Sequence, residues 1–207
     1  LDLFAGARMS ALFERLARVF EAGHARDVEL LTDAMAPPDL LRPAAVLIAV
    51  TERGEPGVLL THRPETMRSH AGQAAFPGGK IDPGEDAIEA ALREAHEELG
   101  IHPRDVRVIG ASDPFRTRTG YDVTPVLAVV PPDLPIVPNP DEVADWFEPP
   151  LAYVLDPANR TPRTVEWEGA PRTYFEIVWQ QHRIWGVTAA IIGNLSRRLE
   201  LAELFDG

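Results

Sequence analysis

The sequence contains no cysteine and no long apolar segment, and these absences exclude several classes of protein. Without cysteine among its 207 residues, the chain can form no disulfide, thiolate metal site or cysteine nucleophile. The same absence fits a reducing compartment, and we predict a cytoplasmic location. Because the sequence has no run of about 18 apolar residues, we predict no membrane span and no membrane partner.

Positive charge is also scarce, since 20 lysines and arginines face 32 aspartates and glutamates, which gives a net charge of −12. Non-specific binding to a nucleic-acid backbone requires a basic surface, so we predict no nucleic-acid partner. A negatively charged substrate would need metal ions to mask the field of so acidic a chain. The composition is otherwise that of a globular protein, with 45% apolar residues.

The apolar pattern predicts one main domain with a helical extension before it. Ser10–Glu21 has the spacing of an amphipathic helix with Ser10 as its N-cap. We predict residues 1–42 as the extension and residues 43–207 as the domain. Strands are predicted at Ala44–Val50, Val58–Thr61, Val106–Gly110, Thr124–Val130, Val143–Phe147, Thr164–Trp167, Thr173–Trp179 and His182–Trp185, the first two forming a hairpin, and helices at Leu151–Leu155 and Val187–Leu201. This order predicts an α+β fold with a sheet between helices.

A glutamate-rich segment is predicted to be helical from Glu85 to Gly100, with acids at its start and a glycine at its end. Glu94, Glu97 and Glu98 lie at i, i+3 and i+4 and therefore share one side of the helix. An apolar stripe beside them comprises Ile88, Ala91, Leu92, Ala95 and Leu99. Like charges at this spacing destabilise a helix by about 0.2–0.5 kcal/mol per pair. A bound divalent cation is the simplest reason for them, and a solvated acidic face is the alternative.

Oxygen ligands without cysteine indicate a hard cation such as Mg²⁺, Mn²⁺ or Ca²⁺. Magnesium commonly binds one or two carboxylates and leaves its other positions to water and to substrate phosphates. This combination positions and neutralises a phosphate. The segment therefore predicts metal-dependent hydrolysis at phosphorus.

The spacing of the same segment resembles the Nudix box. Gly79 is followed by five residues, Glu85, seven residues and then Arg93-Glu94-Ala95-His96-Glu97-Glu98-Leu99-Gly100-Ile101. The resemblance implies the Nudix fold, an α/β/α sandwich with a central mixed β-sheet. It also implies hydrolysis of a nucleoside diphosphate linked to another group, with Mg²⁺ or Mn²⁺ as cofactor.

The resemblance also implies roles for individual residues. The implied metal ligands are Glu85, Glu94, Glu97 and Glu98, and the implied catalytic residues are Arg93, Glu94, Glu97 and Glu98. Among these, Glu98 is our predicted general base. Arg93 corresponds to the residue that orients a catalytic glutamate, and Gly79 lets the backbone pass close to the metal site.

The residues before the box resemble the coenzyme A diphosphatase branch of this family. The matching segments are Leu59-Leu60-Thr61-His62-Arg63, Arg68, His70-Ala71-Gly72-Gln73 and Phe76-Pro77-Gly78-Gly79, with Pro64 and Met67 as departures. The resemblance implies substrate contacts from Arg63, Arg68, His70, Gln73, Phe76, Gly78 and Gly79. Arginine side chains suit the phosphate oxygens of coenzyme A (CoA). His70 and Gln73 have an alternative role, which is to hold their loop by hydrogen bonds.

Two residues after the box are further candidates. Tyr121 lies in a stretch that also resembles the CoA branch, and it could line the substrate pocket or pack as an ordinary core tyrosine. Glu142 follows a proline-rich loop and could supply a base or an extra metal ligand, the alternative being a surface acid.

The resemblance to the CoA diphosphatase branch implies that the protein hydrolyses CoA, or an acyl-CoA, to 3′,5′-ADP and (acyl-)4′-phosphopantetheine. We expect the protein to be a monomer or a homodimer. A different substrate, such as ADP-ribose, NADH or a dinucleoside polyphosphate, is one open alternative. An inactive nucleotide-binding regulator is the other.

Overall fold

The computed structural model describes residues 10–33, 37, 40–64, 72–167, 169–200 and 204–205. Its longer helices are α1 (Ala11–His24), α2 (Ala87–Leu99), α3 (Leu151–Leu155) and α4 (Val187–Arg198). Its strands are β1 (Arg42–Thr51), β2 (Gly57–Val58), β3 (Leu60–His62), β4 (Ala74–Ala75), β5 (Gly78–Lys80), β6 (Arg107–Ala111), β7 (Phe115–Arg116), β8 (Tyr121–Val130), β9 (Asp145–Phe147), β10 (Arg160–Trp167), β11 (Ala170–Trp179) and β12 (His182–Trp185). In this described part of the chain, no helix is long and apolar enough to cross a membrane.

The central sheet has the strand order β2-β1-β8-β6, with β5 also paired to β1 and β7 to β8. Strands β1 and β8 run parallel in a continuous register from Arg42↔Tyr121 to Thr51↔Val130. The remaining pairs in this sheet are antiparallel. The predicted mixed sheet is confirmed.

Strand β1 reads as a continuous apolar run because the sheet is covered on both faces. Ala45, Leu47 and Ala49 pack in one core with residues of α2. Ile48 and Val50, which alternate with them, pack in a second core with residues of α1 and α4. Helices on both faces confirm the predicted α/β/α sandwich.

Helix α1 begins where its N-cap was predicted, since the Ser10 hydroxyl accepts a hydrogen bond from the Phe13 N–H at 3.2 Å. Leu16 and Val19 of α1 are buried in the same core as Ile48. The helix is therefore an integral part of the packed structure. The boundary between residues 42 and 43 stays a prediction.

The predicted strand Val58–Thr61 is wrong in one respect, because it is divided between two sheets. The Leu59 N–H donates to the Ala49 carbonyl at 3.0 Å, and beyond this point the chain leaves β1. Strand β3 pairs instead with β4 and β9. An unbroken apolar run gives no sign of such a change of partner.

The last helix is shorter than predicted. It ends at Arg198, and Leu199 already has extended backbone angles. A separate antiparallel sheet is formed by strands β10, β11 and β12. Strands β10 and β11 are longer than the sequence predicted.

Candidate metal and substrate site

Helix α2 is fixed at both ends by local sequence. Asp86 is its N-cap and forms a capping box with Glu89, in which each side chain accepts from the other residue's backbone N–H. Gly100 ends the helix with φ 70°, a left-handed conformation that favours glycine. The helix can therefore hold its side chains rigidly, as a metal site requires.

Three carboxylates converge beside α2. Oxygen atoms of Glu94, Glu98 and Glu142 all lie within 4.8 Å of one another. Glu98 is only 7% exposed, and its Oε2 accepts a hydrogen bond from the Gly78 N–H at 3.2 Å. Such a set of oxygen donors can hold a hard divalent cation.

Glu142 reaches this cluster because the proline-rich loop is tied to the C-terminus of α2. The Val137 N–H donates to the Leu99 carbonyl at 2.9 Å, and the Asn139 N–H donates to the Glu98 carbonyl at 2.8 Å. Carbonyls at the end of a helix lack partners within the helix, and the loop supplies them. The Asn139 side chain then donates to Glu142 Oε1 at 3.4 Å.

Arg93 is the centre of a second group of carboxylates. Its Nε and Nη2 donate to the two oxygens of Glu85 at 2.8 and 3.0 Å. Its Nη1 donates to Glu94 at 2.9 Å and to Glu97 at 3.0 Å. The Arg93 hydrogen bonds lower the pKa of Glu85, and those to Glu85 raise the pKa of Arg93. Arg93 therefore stays charged and links Glu94 to the start of the helix.

The predicted metal ligands are thus divided between two groups. Glu94 and Glu98 lie in the compact cluster, together with Glu142. Glu85 is held by Arg93, and Glu97 has a 49% exposed side chain that pairs with the same arginine. Direct metal binding by Glu85 and Glu97 stays a prediction.

The electrostatics of the cluster favour binding of a cation. Burial raises the pKa of Glu98 to about 8, although the Arg63 charge and the Gly78 N–H oppose this rise. Burial is also the main cause of a raised pKa at Glu94. Carboxylates that are costly to ionise alone become favourable ligands once a cation compensates their charge.

Gly78 and Gly79 are both required, but for different physical reasons. A Cβ at Gly78 would overlap the Ala45 carbonyl and Val46 on β1, so this glycine lets β5 lie against β1. A Cβ at Gly79 would overlap the carboxylate of Glu94. Gly79 therefore leaves room for a candidate metal ligand.

Replacing Gly79 with alanine is expected to leave the fold intact and weaken metal activation. The added methyl displaces a flexible carboxylate rather than backbone, so the Mn²⁺ concentration for half-maximal activity should rise about tenfold or more. Titration of activity against Mn²⁺ measures this. Gly54→Ala is the matched control, because a Cβ there meets nothing within 4 Å. An unchanged Mn²⁺ requirement in G79A would contradict the assignment of Glu94.

Two of the predicted substrate residues, Arg63 and Gln73, are joined through their backbones. Arg63 follows β3, and its charge acts on Glu98. Its N–H donates to the Gln73 carbonyl at 3.1 Å, so these two predicted residues close one loop. Arg68 and His70 lie outside the described residues.

Phe76 and Tyr121 are packing residues in the structure. Phe76 is 4% exposed and lies in the core on the α1 and α4 side of the sheet. Tyr121 packs against the same core, and the Arg42 guanidinium lies 4.1 Å from its ring centroid. Both side chains pack in the core, and the predicted substrate contacts of Phe76 and Tyr121 stay predictions.

The comparison with known proteins settles the family. The family model described as NUDIX domain matches residues 40–167, more than half of the chain. The chain belongs to the Nudix hydrolase family. It is accordingly a pyrophosphohydrolase, and Nudix hydrolases in general require divalent metal ions and act on small nucleotides linked to another group.

Two bacterial relatives extend this similarity. A protein named "Uncharacterized Nudix hydrolase NudL" from Cronobacter sakazakii is 46% identical over 159 residues, which are 76% of this chain and 83% of the relative. The protein of the same name in Escherichia coli K12 is 45% identical over the same share of both chains.

Among solved structures, the Nudix hydrolase RenU from M. smegmatis superposes with a TM-score of 0.47 and 28% identity. The superposition covers 53% of this chain and 71% of that one.

The carboxylates of this Nudix hydrolase fit the cation that its family requires. Three oxygen donors converge, and one of them is a buried carboxylate whose pKa is raised. When bound, a divalent cation neutralises phosphate charge and makes water a better nucleophile. The arrangement of Glu94, Glu98 and Glu142 could hold such a cation, and their roles as ligands stay predictions.

Asn139 is the residue that sequence reasoning missed. It links the loop to α2 through its backbone and to Glu142 through its side chain. An asparagine among prolines indicates only a turn. No local signal shows which helix such a turn will contact.

Proposed function

We propose that this Nudix hydrolase cleaves the diphosphate of CoA or acyl-CoA, with Mg²⁺ or Mn²⁺ as the cation. The observation that carries the proposal is the position of Arg63. This residue belongs to the segment that resembles the CoA branch, and its charge acts on Glu98 of the Nudix box. Gly78, in the same CoA-like segment, also donates its N–H to Glu98 Oε2 at 3.2 Å, which supports placing this segment beside the carboxylate cluster.

The chain's own residues divide the work of the proposed reaction. Arg63 binds a diphosphate oxygen and offsets part of its charge. Glu94 and Glu142 would hold the cation, and Arg93 keeps Glu94 in place. Glu98 would accept the proton of the attacking water, because the cation, the Arg63 charge and the Gly78 N–H all favour its ionised form over the protonated form that burial favours.

The bond balance of the reaction is that of a hydrolysis. The water oxygen forms a bond to one phosphorus of the diphosphate, and the bond between that phosphorus and the bridging oxygen breaks. The bridging oxygen leaves with the other phosphate. The products are 3′,5′-ADP and 4′-phosphopantetheine, or its acyl form.

A substrate panel tests this proposal. Purified protein is incubated with Mn²⁺ and with CoA, acetyl-CoA, ADP-ribose, NADH or a dinucleoside polyphosphate, and the products are separated by chromatography. We expect the highest kcat/KM for CoA or acetyl-CoA. Loss of ADP-ribose without loss of CoA would overturn the substrate assignment and leave the family intact. The cytoplasmic location and the oligomeric state stay predictions.

A further inference from the structure

A second cluster of titratable side chains lies outside the carboxylate site and joins two distant hairpins. His62, at the end of β3, and His182, at the start of β12, are hydrogen-bonded between Nε2 and Nδ1 at 2.9 Å. His182 is 8% exposed. Its ring stacks on Phe147 with 3.9 Å between centroids and 2° between the planes. His182 is therefore buried, whereas His62 is partly exposed.

The groups at the two ends of the pair determine where each proton lies. His62 Nδ1 is 3.3 Å from the Gly72 carbonyl oxygen, which can only accept, so Nδ1 carries the proton. With a single proton on its ring, His62 accepts at Nε2, and His182 donates from Nδ1. His182 Nε2 accepts in turn from the Gln181 side-chain amide at 3.0 Å. The result is one directed chain of hydrogen bonds from Gln181 to Gly72.

The surroundings of His182 support its neutral state. Burial, and to a smaller extent His62, lower the pKa of His182, while Asp145 on β9 acts in the opposite direction. A ring protonated on both nitrogens would offer no acceptor to its neighbour. The directed chain therefore requires the protonation state that burial favours.

The hydrogen-bond chain ends on the segment that holds Arg63. The Gly72 N–H donates to the Arg63 carbonyl at 3.0 Å, and the Arg63 N–H donates to the Gln73 carbonyl at 3.1 Å. Successive side chains of an extended segment point to opposite sides. His62 can therefore anchor this ladder from one side while Arg63 acts on Glu98 from the other.

We propose that His62, His182 and Gln181 are positioning residues that hold Arg63 in place for a substrate phosphate. The effect on substrate rests on the proposed function of Arg63, whereas the hydrogen-bond chain itself is a property of the fold. Loosening Gly72 should let Arg63 shift and weaken substrate binding. The carboxylates stay in place, so the expected change is in KM rather than in kcat.

The first test reads the hydrogen-bond chain directly. In protein labelled with ¹⁵N at histidine, long-range proton–nitrogen spectra at pH 8 identify the tautomer of each ring. We expect His62 and His182 both to carry the proton on Nδ1. A proton on Nε2 in either ring would overturn the chain, whatever the substrate proves to be.

The second test is kinetic and uses CoA, or whichever panel substrate the protein hydrolyses. His182→Phe keeps a ring on Phe147 but removes the donor to His62, and should raise KM about fivefold with kcat nearly unchanged. His182→Asn keeps a donor and should restore part of the loss. His102→Asn is the control, because His102 is exposed and its side chain accepts from the nearby Arg104 N–H, a contact that asparagine can keep.

A double mutant then tests whether the effect passes through Arg63. In an Arg63→Ala background, His182→Phe should produce no further rise in KM, since both changes remove the same interaction. An equal rise in KM in the wild-type and Arg63→Ala backgrounds would overturn the positioning role. An unchanged KM in H182F would overturn it as well. Absence of CoA turnover in the wild-type protein would contradict the proposed substrate instead.

Discussion

Replacing Glu98 with glutamine is expected to reduce hydrolysis about 10²–10⁴-fold, the range that removal of a general base commonly costs. The amide keeps the size of the side chain and its acceptor for the Gly78 N–H. It cannot accept the proton of the attacking water. Steady-state rates with saturating Mn²⁺ measure the loss. Glu21→Gln, an exposed glutamate on α1, is the isosteric control.

The same variant is expected to be more stable than the wild-type protein without metal. Because burial raises the Glu98 pKa from 4.5 to about 8, the folded state favours the protonated form. This contribution to stability is fully present below pH 4.5 and is lost as the pH rises to about 8. Glutamine has no proton to lose. In EDTA, the Tm advantage of E98Q should therefore widen from pH 5 to pH 8, and a constant difference would contradict the buried-carboxylate account.

Replacing Arg93 with alanine is expected to lower kcat/KM about 10²-fold, because a catalytic ligand moves when its support is removed. Glu94 would lose its Nη1 donor, and Glu85 would lose two hydrogen bonds. Glu94 and Glu97 would then also repel each other. The Tm should fall by a few degrees, which thermal unfolding measures.

Two further variants control the Arg93 result. Arg104→Ala removes an arginine with a 77% exposed side chain and should change neither rate nor Tm appreciably. Arg93→Lys keeps the charge but not the planar fork, and should recover only part of the activity. Full activity in R93A would show that Glu94 is positioned by other contacts.

Local signals predicted helix α2 well. Acids at its start and Gly100 at its end set its bounds within two residues, because capping depends on side chains near in sequence. The spacing of Glu94 and Glu98 likewise placed both on one side. The sequence did not show that the Glu97 carboxylate accepts a hydrogen bond from Arg93. Several carboxylates lie near this guanidinium, and the sequence does not show which of them will bind it.

Contacts between distant segments could not be predicted in the same way. Glu142 reaches the cluster only because Val137 and Asn139 bond the end of α2. The pairing of His62 with His182 spans 120 positions. Both depend on tertiary packing, for which a single sequence carries no local pattern. The change of sheet after Leu59 has the same origin.

The most direct test of the central claim is hydrolysis of CoA with Mn²⁺ in ¹⁸O-labelled water, with the products analysed by mass spectrometry. The proposed reaction predicts 3′,5′-ADP and 4′-phosphopantetheine, with label in the product whose phosphorus the water attacks, and no reaction in EDTA. Intact CoA, under conditions in which another nucleoside diphosphate derivative is cleaved, would contradict it.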